Sequence, residues 1–139
     1  MVKDPIVWRV VRWLYGAYFI FLGGSSLLEV IGVLPETHWD KYMSAGSIAF
    51  LSAMEDTGFL VPLLVLTWLA SGLALMFYRT APLGVVLLAP VMVNMFLMDT
   101  VVDTLWLWAT AHAAPHLALA WHFRSAFRPL WNYASPADS

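Results

Sequence analysis

Four nearly unbroken apolar segments, 13–34, 59–78, 82–98 and 105–123, take up more than half of a 139-residue chain. Each is close to the roughly 20 residues that a helix needs to cross a bilayer. Only 12% of the residues are charged and 61% are hydrophobic, against about 25% charged in an average soluble domain. A water-soluble surface cannot be assembled from this material, so lipid is the expected solvent. In lipid every backbone polar group must be satisfied within the chain, which selects helices here. The expectation is an all-α, integral membrane four-helix bundle forming one domain over 1–139, with no room for a soluble catalytic module. The first apolar run exceeds the 7–15 residues of a signal-peptide core and no small-residue cleavage site follows it, so it reads as a retained helix. Without cysteine, disulfide, thiolate and iron–sulfur chemistry are excluded; a net charge of −2 provides no basic field for nucleic acid.

Charge placement sets the expected orientation. Lys3, Arg9, Arg12, Arg79, Arg124 and Arg128 fall on one side of a four-span map and only Lys41 on the other. The positive-inside bias then puts both termini in the cytoplasm, with the loops at 35–58 and 99–104 outside. Aromatic residues agree: Trp8, Trp13, Tyr78, Trp121 and Trp131 mark the inner interface, and Trp39, Tyr42, Trp106 and Trp108 the outer one. Within the outer loop, "MSAGSIAFLSAMEDTG" sets Met43, Ile48, Leu51 and Met54 among small polar residues, predicting a short interfacial helix over 43–56 that closes over the outer rim. Pro90 and Pro115 lie inside their helices, and each frees a carbonyl one turn earlier. The tail 132–139 reads as disordered.

Polar groups in the oil are the candidate functional residues, because ionisable side chains at membrane depth are rare and costly. Tyr18, Ser25, Ser26 and Glu29 share one stripe of the first helix, which predicts an inward face. At 1.5 Å per residue, Glu29 lies roughly 7 Å and His112 about 10 Å below the outer surface, with Asn94 at similar depth. His116 is one turn deeper than His112 on the same face. Asp99 and Asp103 sit at the rim, where they read as the boundary of a short hairpin, with Asp103 or Thr104 capping the last helix, while His112 is expected to face Glu29. The candidate site is therefore Glu29, Asn94, Asp99, His112 and His116. The sequence leaves two readings of it open. The imidazoles and carboxylates serve as interhelical hydrogen-bond partners, or they form a ligand site for a metal, a haem or a quinone headgroup. Met92, Met95 and Met98 read as packing rather than copper ligands.

Three segments together carry a family resemblance. "AFLSAMEDTGFLVPLL" is similar to an F…A…TG…PL entry to the second helix, "SGLALMFYRTAPLGVVLLAPVMVNMFL" to a G-L-x-L…R…PL…LLAPV-x-VN run, and "WHFRSAFRPLW" to a closing Y-x-R…F-x-PL. Over residues 50–131 the chain resembles the DoxX-like family of small four-helix bacterial membrane proteins. The resemblance implies a multi-pass protein of the bacterial cytoplasmic (inner) membrane. For some relatives it implies association with thiosulfate:quinone oxidation or other respiratory complexes. Two positions depart from the family pattern: Trp68 stands where a glutamate often precedes Gly72, and Asp99 where a histidine often follows Asn94. Asp99 retains a polar group there, and His112 and His116 supply imidazole from another helix. The expected function is a non-catalytic accessory subunit of a larger membrane electron-transfer complex. Its partners are the lipid bilayer and other membrane protein subunits. The alternative is a quinone-linked redox enzyme subunit with a polar intramembrane site.

Overall fold

The computed structural model describes residues 5–35 and 43–131, and among these the chain is all-helical. Helix α1 spans Ile6–Val30, α2 Ala45–Asp56, α3 Leu60–Met76, α4 Ala81–Leu97 and α5 Trp106–His122. A π-helical turn, Met98–Val102, prolongs α4, and a 3-10 turn, Arg124–Phe127, leads into the single-turn α6, Arg128–Trp131. By length and composition Ile6–Val30 and the continuous Ala81–Val102 can each cross a membrane. The pair α2 and α3, bent by 98°, makes a third candidate if it forms one span. The tail at 132–139, expected to be disordered, and Trp39 and Tyr42, expected at the outer interface, lie outside the described residues.

Local chemistry explains where the elements stop. Helix α1 begins after Pro5 and ends four residues short of the expected Leu34, because Gly32 takes a φ of 75°. The Gly32 N–H then donates to the Glu29 carbonyl (2.9 Å) and the Val33 N–H to that of Leu28 (2.8 Å). This closing motif satisfies carbonyls that a helix end leaves orphaned. Ser44 caps α2 by accepting from the Ser47 N–H at 3.2 Å. Between α2 and α3, Gly58 adopts a φ of 72° and the Thr57 hydroxyl accepts from the Leu60 N–H at 3.1 Å. The sharp corner thus has both a permissive residue and a cap.

Helix α1 packs along α3, α3 on α4 and α4 on α5, while α5 returns to α1 through a sparser contact. The α1–α3 seam is tight: a Cβ on Gly72 would lie 2.8 Å from the Gly16 carbonyl oxygen, so both positions must be small for the backbones to approach this closely. At the same seam Arg12 is buried, and its guanidinium donates to the carbonyls of Leu75 (2.6 Å) and Met76 (2.7 Å). A cation is favoured at the C-terminal end of a helix, where carbonyls have no intrahelical partner. Phe19, Leu75, Leu88 and Leu119 form the centre of the core.

The outside of the molecule is more apolar than its inside would lead one to expect of a protein in water. Arg12, Ser47, Ser71, Thr100, His112 and His116 are buried, whereas Phe21, Leu66, Leu83, Val93, Leu107 and Leu117 are exposed. Large contiguous apolar surface on a helical protein marks a lipid or protein contact. Such a surface is compatible with lipid contact.

Candidate functional site

The sparse α1–α5 contact leaves a groove of about 390 Å³, lined by Val11, Leu14, Tyr15, Tyr18, Trp108, Ala111, His112 and Pro115. Its walls are apolar and its polar groups are few, as in small-molecule sites generally. Tyr15 and Tyr18 lie three residues apart on α1 and so point to the same side. On α5, Ala109, His112, His116 and Leu119 form the buried face, and the small Ala109 admits the neighbouring helix.

At the base of the groove the Tyr18 hydroxyl and Nε2 of His112 are 2.8 Å apart. Nδ1 of the same ring lies 3.8 Å from Oδ2 of Asp99. Both of these last two atoms are buried and lack a hydrogen-bond partner, so a small shift or a bridging water would join them. The π-helical turn is what brings Asp99 here: it carries α4 onward past the rim where a hairpin boundary was expected. Tyr15 holds the site from behind, donating to the His112 carbonyl at 3.1 Å with Met92 Sδ at 3.3 Å. Trp108 sets its ring edge-on to His112, with centroids 4.8 Å apart. Pro115 has no N–H for the Ala111 carbonyl, and both residues line the groove.

Asp99, His112 and Tyr18 thus follow one another across the groove, with the hydrogen bond between His112 and Tyr18. A neutral imidazole protonated on Nδ1 faces Asp99 and accepts from Tyr18 through Nε2; the opposite tautomer donates to Tyr18 instead. Tyr18 is half-buried at the groove wall, so its hydroxyl is the group that a bound oxygen would meet first.

Of the five residues expected at the site, the structure brings Asp99 and His112 together. His116 is buried one turn deeper, with its ring 6.4 Å from that of Tyr15 and its Nδ1 lacking a partner. Asn94 does not join them. Helix α4 buries Val85, Leu88 and Met92, and Asn94, roughly 200° around the axis from Met92, lies on the exposed face. Glu29 is not level with His112. It sits eleven residues beyond Tyr18 on α1, about 16 Å along the axis. The expected pairing assumed that α1 and α5 end in one plane, whereas α1 rises well past the start of α5. Tyr15, Tyr18 and Trp108 were not among the expected site residues. The available signal was a tyrosine pair one turn apart on the polar stripe of an otherwise apolar helix.

Asp103 takes a different role from the expected cap of α5, which begins at Trp106 with Leu105 as its N-cap and no side-chain cap bond. Its carboxylate instead accepts from the Ser47 hydroxyl (2.7 Å) and the Ser44 N–H (3.3 Å). Partial burial raises the Asp103 carboxyl, but these bonds from Ser44 and Ser47 together outweigh it and hold it below its ordinary value. The contact pins the start of α2 to the end of the π-helical turn that carries Asp99.

Among the described residues no group of three or more histidine, aspartate or glutamate side chains could hold a metal ion. No protein-family model, curated protein or solved structure matches the chain. Fold and surface define the class: among the described residues the protein is all-helical, with two to three helices long and apolar enough to cross a membrane, and an apolar exterior compatible with lipid.

Proposed function

We propose that the chain is a four-span, DoxX-like subunit of a larger electron-transfer assembly in the bacterial cytoplasmic membrane. In this reading both termini are cytoplasmic and the α1–α5 groove holds the head of a membrane quinone. The observation that carries the proposal is the Tyr18–His112 pair at the base of an apolar groove open to the protein's lipid-compatible surface. A quinone is a flat apolar ring with two carbonyl acceptors and a long apolar tail. Val11, Leu14, Trp108 and Pro115 suit the ring, and Tyr18, backed by His112 and Asp99, can donate to one carbonyl oxygen. The chain itself is not the electron donor in this scheme; a partner subunit is.

Helices α3 and α5, at 17 residues each, are about 25 Å long and span with modest local thinning of the bilayer. Helix α2, bent by 98° from α3, then lies along the outer surface. Photolabelling of the purified protein by an azido-quinone tests the reading. Saturable labelling of α1 and α5 peptides, reduced by excess short-chain quinone, is expected. Unsaturable labelling spread over all helices would overturn it.

A purely structural accessory role is the second reading, favoured by the exposed Trp106, Leu107 and Trp108 at the start of α5, an indole-rich surface suited to another subunit. It predicts a neighbour that co-purifies in mild detergent with no quinone bound at the groove.

A further inference from the structure

At the opposite end of α5 from the Asp99 turn, a second cavity of about 440 Å³ is lined by Trp8, Trp121, His122, Arg124, Ser125 and Arg128. We propose that it is a binding site for a phosphate-bearing headgroup. The two guanidiniums are four residues apart across the 3-10 turn and α6, which puts both on one cavity. Arg124 uses one N–H on the Trp121 carbonyl (3.2 Å) and stacks over the Trp121 ring at 4.5 Å, so the rest of its fork is held in place and left for a ligand. Among the described residues neither Arg124 nor Arg128 has an acidic partner. The far wall is equally fixed: Trp8 and His122 stack with centroids 4.5 Å apart and planes within 14°.

Guanidinium forks match the oxygens of a phosphate better than any point charge does, and Ser125 adds a hydroxyl. Two indoles beside them mark the depth of lipid headgroups, and basic pockets at the ends of membrane helices are suited to anionic lipid. The phosphate could belong to a phosphatidylglycerol diester or to a free anion, and the same groups would hold either. This inference does not rest on the quinone reading, since it shares no residue with the α1–α5 groove.

The test uses the full chain in a neutral detergent and reads its thermal midpoint with phosphatidylglycerol, phosphatidylcholine or inorganic phosphate added. Stabilisation by phosphatidylglycerol alone identifies a lipid headgroup site; equal stabilisation by inorganic phosphate identifies a free-anion site; both support the proposal. The double variant R124Q/R128Q should raise the ligand concentration needed for the shift about tenfold or more, each protein being read against its own ligand-free midpoint. R79Q removes one charge from the α3–α4 turn and should leave the response intact. An equal shift with phosphatidylcholine, a response that survives R124Q/R128Q, or one lost as fully in R79Q would overturn it.

Discussion

The Tyr18 hydroxyl and the His112 imidazole, 94 positions apart in the chain, meet at 2.8 Å across the α1–α5 groove. With the Tyr15 hydroxyl on the His112 carbonyl at 3.1 Å, it links the facing sides of a seam that is otherwise loosely packed. It gives the buried ring a partner that a lipid-filled groove could not provide. Tyr18→Phe keeps the ring and removes the hydroxyl. It should weaken quinone photolabelling about tenfold, the equivalent of one lost hydrogen bond of roughly 1.4 kcal/mol. It should also destabilise the fold by about 1–3 kcal/mol, because His112 Nε2 loses its partner. Unchanged labelling of Y18F would remove Tyr18 from the site.

Asn94 provides the complementary experiment. The exposed amide lies on α4, whose buried face is Val85, Leu88 and Met92. Asn94→Leu should therefore leave labelling of the groove within about twofold, since distant residues without shared partners act independently. A loss comparable to that in Y18F would return Asn94 to the site and require a different helix rotation.

Helix α2 should respond to Asp103. The carboxylate accepts from Ser47 and Ser44 and has its carboxyl held below the ordinary value. A carboxyl depressed in the folded state contributes stability that is present above its unfolded pKa and is lost as pH falls through the folded one. Amide protection of α2, corrected for intrinsic exchange, should thus be constant from neutral pH through the ordinary carboxylate range and fall only below it. Asp103→Ala should lower that protection at neutral pH and abolish the step, so that wild type and variant converge once the carboxyl is protonated. Equal protection in D103A would show that the Asp103 bonds do not dock the helix and would leave that to the close approach of Gly46 to the Val102 side chain, where an added Cβ would lie at 2.7 Å.

The sequence was most informative where a single physical requirement governed the outcome. Long apolar runs demanded helices, and "MSAGSIAFLSAMEDTG" announced α2 by its small polar residues around an apolar face. The end of α1 was also legible, since Gly32 before Val33 is a closing signal, although the apolar run to Leu34 masked it. The site was legible only in part. Asp99 and His112 stand out as polar groups in oil, but their meeting depends on a π-helical turn that no periodicity announces. The depth match between Glu29 and His112 failed for a related reason: relative helix height is fixed by packing, not by either helix's own sequence. Tyr18, less conspicuous than an ion, proved to be the partner.

The α1–α3 seam offers the sharpest test of the packing. A Cβ on Gly72 would sit 2.8 Å from the Gly16 carbonyl oxygen and 2.9 Å from the Ile20 amide nitrogen. Both are backbone atoms and cannot turn aside as a side chain would. Gly72→Ala must therefore push α1 from α3, and the strain reaches Arg12, whose bonds to Leu75 and Met76 lie within the next turn. Overpacking of this kind costs about 1–3 kcal/mol, with a further loss if the buried guanidinium is left short of acceptors. Gly24→Ala is the control, since a Cβ there meets nothing within 4 Å. Alanine is the better helix former by roughly 0.5–1 kcal/mol, so G24A should hold or raise the thermal midpoint in mild detergent while G72A lowers it. If both variants melt alike, α1 and α3 do not cross at Gly16 and Gly72.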